Sequence, residues 1–231
     1  MKNELHHRNF GQLLSDAIFF EQLASNENDE LRCKRFVRAS ISSSLLMLES
    51  AANCCLSCFD ANENLMYDLE KLPPVSKLDL FALHGYKKGI DYSRNEVQKI
   101  REIKQIRDKI VHPKVCESKI GNLDDKHRNF LCFPAMLPFS SKPKPATNIV
   151  EISSLWSYDD CLAVIKSIVE FFNYYFKELL SMDKKLVFGI LNDSLIIDGK
   201  AETSIFPPDL FNEIIYLKNK GIIIEFIVDK P

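Results

Sequence analysis

Glycine is scarce in this chain, with seven residues in 231. That leaves little room for a glycine-rich phosphate loop, and the sequence holds none. It also lacks a GxSxG elbow, an HExxH helix and any acidic metal cluster at a recognised spacing. No apolar run approaches the roughly 18 residues of a membrane span. The opening MKNELHHRNF is polar where a secretory signal has its apolar region. These absences predict a cytoplasmic protein with no membrane partner, no metal and no cofactor. Seven cysteines is an odd number, and the one CxxC, Cys55 to Cys58, has no second pair at zinc-finger spacing. Small core residues are the expectation there. A net charge of −2 argues against a surface coated in cationic charge for nucleic acid.

What is present is helical pattern. An apolar fraction of 46% and a charged fraction of 27% suit one good-sized globular domain, or a domain with a small addition. Four strong helical patterns run over about 3–24, 31–59, 94–111 and 157–180, with a short helical piece, SKLDLFALHG, after Pro73 and Pro74. In the second, Ile41, Leu45, Leu48, Ala52, Cys55 and Phe59 form a bundle seam, with Glu49 at its edge and Asn53 one turn further on. The FFNYYF run at 171–176 puts aromatics on more than one side of the fourth helix, which suits core packing or a second apolar face for a dimer. Residues 113–155 read as an irregular loop. After Asp183 the period changes: KKLVFGIL, SLIID and IIIEFIVD read as short strands, and PPDLFNEIIYLKNKG as a helix. The expected architecture is mainly α, an up-and-down helical bundle over 1–182 with a small αβ appendage over 183–231.

The third helix carries the most chemistry. Residues 94–114 hold seven Lys or Arg against three acids. At about 100° per residue, Val97, Ile100, Ile103, Ile106, Ile110 and Val111 fill roughly half of its circumference. Arg107 projects from the middle of that arc. A guanidinium cannot shed its proton to escape burial, so it needs a carboxylate, a phosphate or a wet cleft. Two readings stand. Either Arg107 makes an ion pair with Glu49 that ties two helices together, or it serves a phosphate site. His112 follows five residues later, directly before Pro113, at the negative end of the helix dipole that favours its protonated form. Five helical positions give about 140° of rotation and about 7.5 Å of rise. The two side chains therefore share one phosphate only through distortion before Pro113 or through a second protomer.

This segment resembles HEPN domains, helical bundles that share an Arg-x4-6-His signature with a polar residue commonly following the arginine. Arg107, Asp108 and His112 match it. SLLMLESAANC (44–54) is similar to the second-helix pattern of bacterial HEPN-like proteins, with Glu49 and Asn53 at its recurring acid and asparagine. KLPPVSKLDLFALHGYKKGIDYS (71–93) is similar to the lead-in, so the resemblance covers roughly 35–115. It implies a homodimeric, metal-independent endoribonuclease of a toxin or phage-defence system. Arg107 and His112 would be catalytic, with Glu49, Asn53 and Asp108 supporting them. RNA would be the substrate, and an antitoxin or other protein a further partner. The family also contains non-catalytic interaction and dimerisation modules, which is the alternative the resemblance leaves open.

Overall fold

A computed structural model describes residues 3–111, 142–198 and 200–227. The chain is mainly helical, with a small antiparallel sheet. Its long elements are α1 (Phe10–Asn26), α2 (Glu30–Leu56), α5 (Asn95–Val111) and α6 (Tyr158–Phe172). Shorter helices are α3 (Glu63–Leu69), α4 (Pro74–Phe81), α7 (Lys184–Leu191) and α8 (Leu210–Asn219).

Helix α2 is the hub, touching α1, α4, α5, α6 and α7. Its expected seam residues Ile41, Leu45, Leu48, Ala52 and Cys55 are buried, whereas Phe59 falls past the helix end at Leu56 and is half-buried. Burial pushes the Cys55 thiol well up, which suits an inert core residue, whereas Cys58, expected in the core with it, lies past the helix end and is exposed. Asp29 starts the helix by accepting from the Arg32 amide at 2.8 Å. At the start of α6, Ser157 and Asp160 form a reciprocal capping box. The chain returning toward α6 docks on α5, because Glu102 accepts from the Ala146 amide at 3.0 Å and the Thr147 amide at 2.8 Å.

Beyond Phe172 the helix widens into a π turn over Asn173–Leu179, with the Leu180 amide reaching back to the Tyr175 carbonyl. The wider turn changes which side chains share a face. Phe171, Phe172, Tyr174, Tyr175 and Phe176 are all buried within the chain. The second aromatic face is thus covered internally and offers no dimer surface.

Three segments depart from the sequence reading. Asn3–His6 is a strand (β1), where the first helical pattern was expected to begin; helix starts only at Phe10. KKLVFGIL is helix α7, since Asp183 caps the Lys185 and Leu186 amides, and Val187, Phe188 and Leu191 are buried at helical spacing. A short apolar run does not distinguish strand from helix by period. The described part of IIIEFIVD, Ile222 to Ile227, is not a strand. Its alternation is real, since Ile222, Ile224 and Phe226 are buried, but its partner is one side chain. Asn173 donates to the Ile223 carbonyl at 2.7 Å and accepts from the Glu225 amide at 2.8 Å. Phe226 then packs among Phe10, Phe172 and Phe176.

SLIID forms β2 (Asp193–Ile197), which pairs with β1 on one side and with β3 (Lys200–Ile205) on the other, all antiparallel. Gly11 lies against this unit; a Cβ there would collide with the Asn192 amide oxygen. Among the described residues, no helix is long and apolar enough to cross a membrane.

Glu213 on α8 is buried with one carboxylate oxygen unpartnered. Burial pushes its carboxyl up, a Ser15 hydrogen bond opposes this, and Asp209 and Asp16 add to the rise. A raised pKa means that the folded state holds the proton more tightly than the unfolded chain, so stability falls as pH rises through that range. Glu213→Gln is therefore expected to raise the thermal midpoint at pH 7. The gain should shrink as pH falls toward about 4, where the carboxyl is protonated in both states. Melting curves across this range check it.

Candidate functional site

On α5, Val97, Ile100, Ile103 and Ile106 are at most 1% exposed, whereas Ile110 and Val111 are 38% and 48% exposed. The apolar arc expected to run to Val111 therefore stops at Ile106. Arg107 takes the next core-facing position, where the hydrophobic floor ends and charged groups begin.

The site is built on Glu49, which stands on α2 facing both α4 and α5. Its Oε2 accepts from Arg107 Nη2 at 3.3 Å, and its Oε1 accepts from Lys77 Nζ at 2.5 Å. Lys77 also donates to Asn53 Oδ1 at 2.7 Å. Glu49 and Asn53, one helical turn apart, thus grip a lysine on α4 that is 1% exposed. A buried ammonium needs both a counter-charge and hydrogen-bond acceptors, and these two side chains supply them. On its other edge Arg107 Nη1 donates to Asp108 Oδ1 at 3.3 Å, and Asp108 Oδ2 meets Lys104 at 2.5 Å. Burial pushes the Asp108 carboxyl up, but hydrogen bonds from Lys104 and Arg107 outweigh this and hold it below the ordinary range.

Among the described residues, Lys77, Lys104 and Arg107 face only Glu49 and Asp108, so this cluster carries one net positive charge. Arg107 is also loosely held. Among the described residues its polar contacts are two single bonds at 3.3 Å, longer than the roughly 2.7–2.9 Å of a strong charge-assisted bond. Its side chain remains 26% exposed. An arginine in this state can turn toward an incoming anion without stranding a buried charge, because Lys77 continues to satisfy Glu49.

The structure thus joins Arg107, Glu49 and Asp108 directly and brings in Asn53 through Lys77. His112 and Pro113 lie outside the described residues, as does most of the loop beyond them. Sequence reasoning missed Lys77. The signal was there: Pro74, Val75, Leu78 and Phe81 bury one face of α4, and Lys77 shares it. The helical count that singled out Arg107 would have singled out Lys77.

Glu49 and Asn53 also line an open cleft of about 710 Å3, whose far wall carries His6, His7, Arg8 and Gln12. Those histidines had no role in the sequence reading, and β1 brings them to the cleft. Arg8 is fixed by donating to the Asn192 carbonyl at 3.1 Å and to Ser194 Oγ at 2.7 Å. Among the described residues, no group of three His, Cys, Asp or Glu could hold a metal ion.

No protein-family model, curated protein or solved structure matches this chain.

The unequal roles of the two partners of Glu49 are testable. Glu49→Gln leaves the buried Lys77 ammonium without its counter-charge and is expected to cost about 3–5 kcal/mol. Lys77→Met removes the buried charge while Glu49 keeps Arg107, so its cost should be small by comparison. Urea unfolding of both variants measures the difference; equal losses would show that Lys77 does not depend on Glu49.

Proposed function

We propose that this chain is a HEPN-type, metal-independent endoribonuclease that works as a homodimer in a toxin or phage-defence system. The observation that carries the reading is the state of Arg107: core-facing, tethered by Glu49, net positive in its surroundings and still open to solvent. A purely structural arginine gains most from a close two-point grip on its carboxylate, and Arg107 lacks one.

In the proposed reaction Arg107 binds the scissile phosphate and neutralises charge as it builds on the non-bridging oxygens. His112 moves the proton: it takes one from the attacking 2′-hydroxyl or returns one to the leaving 5′-oxygen. The bond from the 2′-oxygen to phosphorus forms as the bond to the 5′-oxygen breaks, leaving a 2′,3′-cyclic phosphate and a 5′-hydroxyl. Glu49 is a positioning residue that sets the height of Arg107 on the helix face. Asn53 acts one step further back, through Lys77. The 140° offset between positions 107 and 112 favours a composite site in which two copies of the α5 end face each other.

The test is cleavage of RNA by purified protein in EDTA, with Arg107→Ala and His112→Ala alongside the wild type. Each substitution is expected to lower the rate by about 10²–10³-fold, with circular dichroism unchanged. Cyclic phosphate ends should accumulate. Equal rates in all three proteins would remove both residues from catalysis. A dimeric wild type that cleaves no RNA would favour the non-catalytic interaction module.

A further inference from the structure

The charged strip at Arg107 continues along α5 into a separate recess of about 560 Å3. Leu48 of α2 and Ile100 of α5, 2% and 0% exposed, close its floor, and the exposed Pro73, next to Pro74 at the start of α4, supplies apolar surface to it. Tyr92 lines it with a ring that is 40% exposed yet fixed, since its hydroxyl bonds to Asp79 Oδ2 at 3.1 Å and its carbonyl accepts from Gln98 at 2.5 Å. Among the described residues, Arg101 and Lys104 are its charged residues and no carboxylate lines it. Lys104 is held by Asp108, whereas Arg101 has no ion-pair partner among the described residues.

An apolar surface, a fixed aromatic ring and two cations form a mixed demand. A bare phosphate has no use for the apolar part, and a neutral ring has none for the cations. A ligand that joins a flat ring to an anionic group satisfies both. We infer that this recess binds a single nucleotide, its base against Pro73 and Tyr92 and its phosphate toward Arg101 and Lys104. The inference deepens the ribonuclease reading, and its place on an RNA strand rests on that reading. Lys104 and Arg107 are three residues apart, about 4.5 Å of helical rise, and Asp108 contacts both. A nucleotide seated here is a neighbour of the phosphate held at Arg107, so the recess selects which base flanks the cut.

The test is a titration of isotope-labelled protein, in EDTA, with each of the four ribonucleoside monophosphates and separately with inorganic phosphate, followed by amide shifts. At least one nucleotide is expected to saturate, with shifts centred on Ser76, Arg101 and Lys104, and to bind at least tenfold more tightly than phosphate. Tyr92→Leu should weaken that binding about fivefold or more, and Tyr92→Phe, which keeps the ring but loses the bond to Asp79, should weaken it less. Arg101→Glu should weaken it at least tenfold, while Arg107→Ala should leave it within twofold. Phosphate binding as tightly as every nucleotide, shifts confined elsewhere, or full affinity in Arg101→Glu would overturn the inference. Nucleotide binding by a protein that cleaves no RNA supports the recess and removes the ribonuclease reading. RNA cleavage without nucleotide binding does the reverse.

Discussion

A lysine ammonium almost wholly removed from solvent sets the terms for the centre of this molecule. Lys77 enters the junction of α2, α4 and α5 with its charge intact, so α2 must present acceptors at that height. Glu49 and Asn53 do so from adjacent turns, which fixes the rotation of α2 about its axis. With that rotation fixed, the second oxygen of Glu49 points at α5, and Arg107 is the side chain that meets it. A pair that joined Glu49 to Arg107 alone would close on itself. Sharing the carboxylate with Lys77 keeps the arginine both located and loose, a combination suited to gripping an anion.

A second region of the bundle, tied to α4 by the Tyr175 hydroxyl donating to the Leu78 carbonyl at 2.6 Å, is organised by shape rather than charge. The π turn over Asn173–Leu179 rotates the aromatic residues so that Phe172 and Phe176 both face Phe226. It also places the Asn173 amide where it pairs with the backbone at Ile223 and Glu225. One side chain thereby does the work of a neighbouring strand, and the apolar residues of 222–227 join the bundle core. Helix α2 carries part of the charged junction and α6 part of the aromatic cluster, and the packing of these two helices joins both regions in one core.

How much of this was legible in the sequence follows from how local each feature is. The long helices and the burial of the α2 seam follow from spacings of three and four, and the mainly helical architecture with it. The exposure of Ile110 and Val111 was not legible, because the period reports which residues share a face and not where the neighbouring helix ends. KKLVFGIL was ambiguous by length, and only the Asp183 cap resolves it. The π turn leaves no periodic trace. NELH reads as the start of a helix because its partner is far away in the chain. At the site, Arg107 and Glu49 were legible from helix phase. Lys77 was hidden in a short helix behind two prolines, and the recess beside Tyr92 depends on how α4 sits against α5.

The pairing of Asn3–His6 with β2 has a consequence in time as well as space. Arg8 is anchored to Asp193 and Ser194, 185 and 186 positions further along the chain. On a ribosome, α1, α2 and α5 can gather while β1 still has no strand to join, since synthesis proceeds at roughly 5–20 residues per second. The wall that carries His6 and His7 is therefore among the last surfaces to be set. Gln12, Leu13 and Asp16 of α1 already border the face of α2 that bears Glu49 and Asn53, and the wall with His6 and His7 is held in place by strands from the far end of the chain.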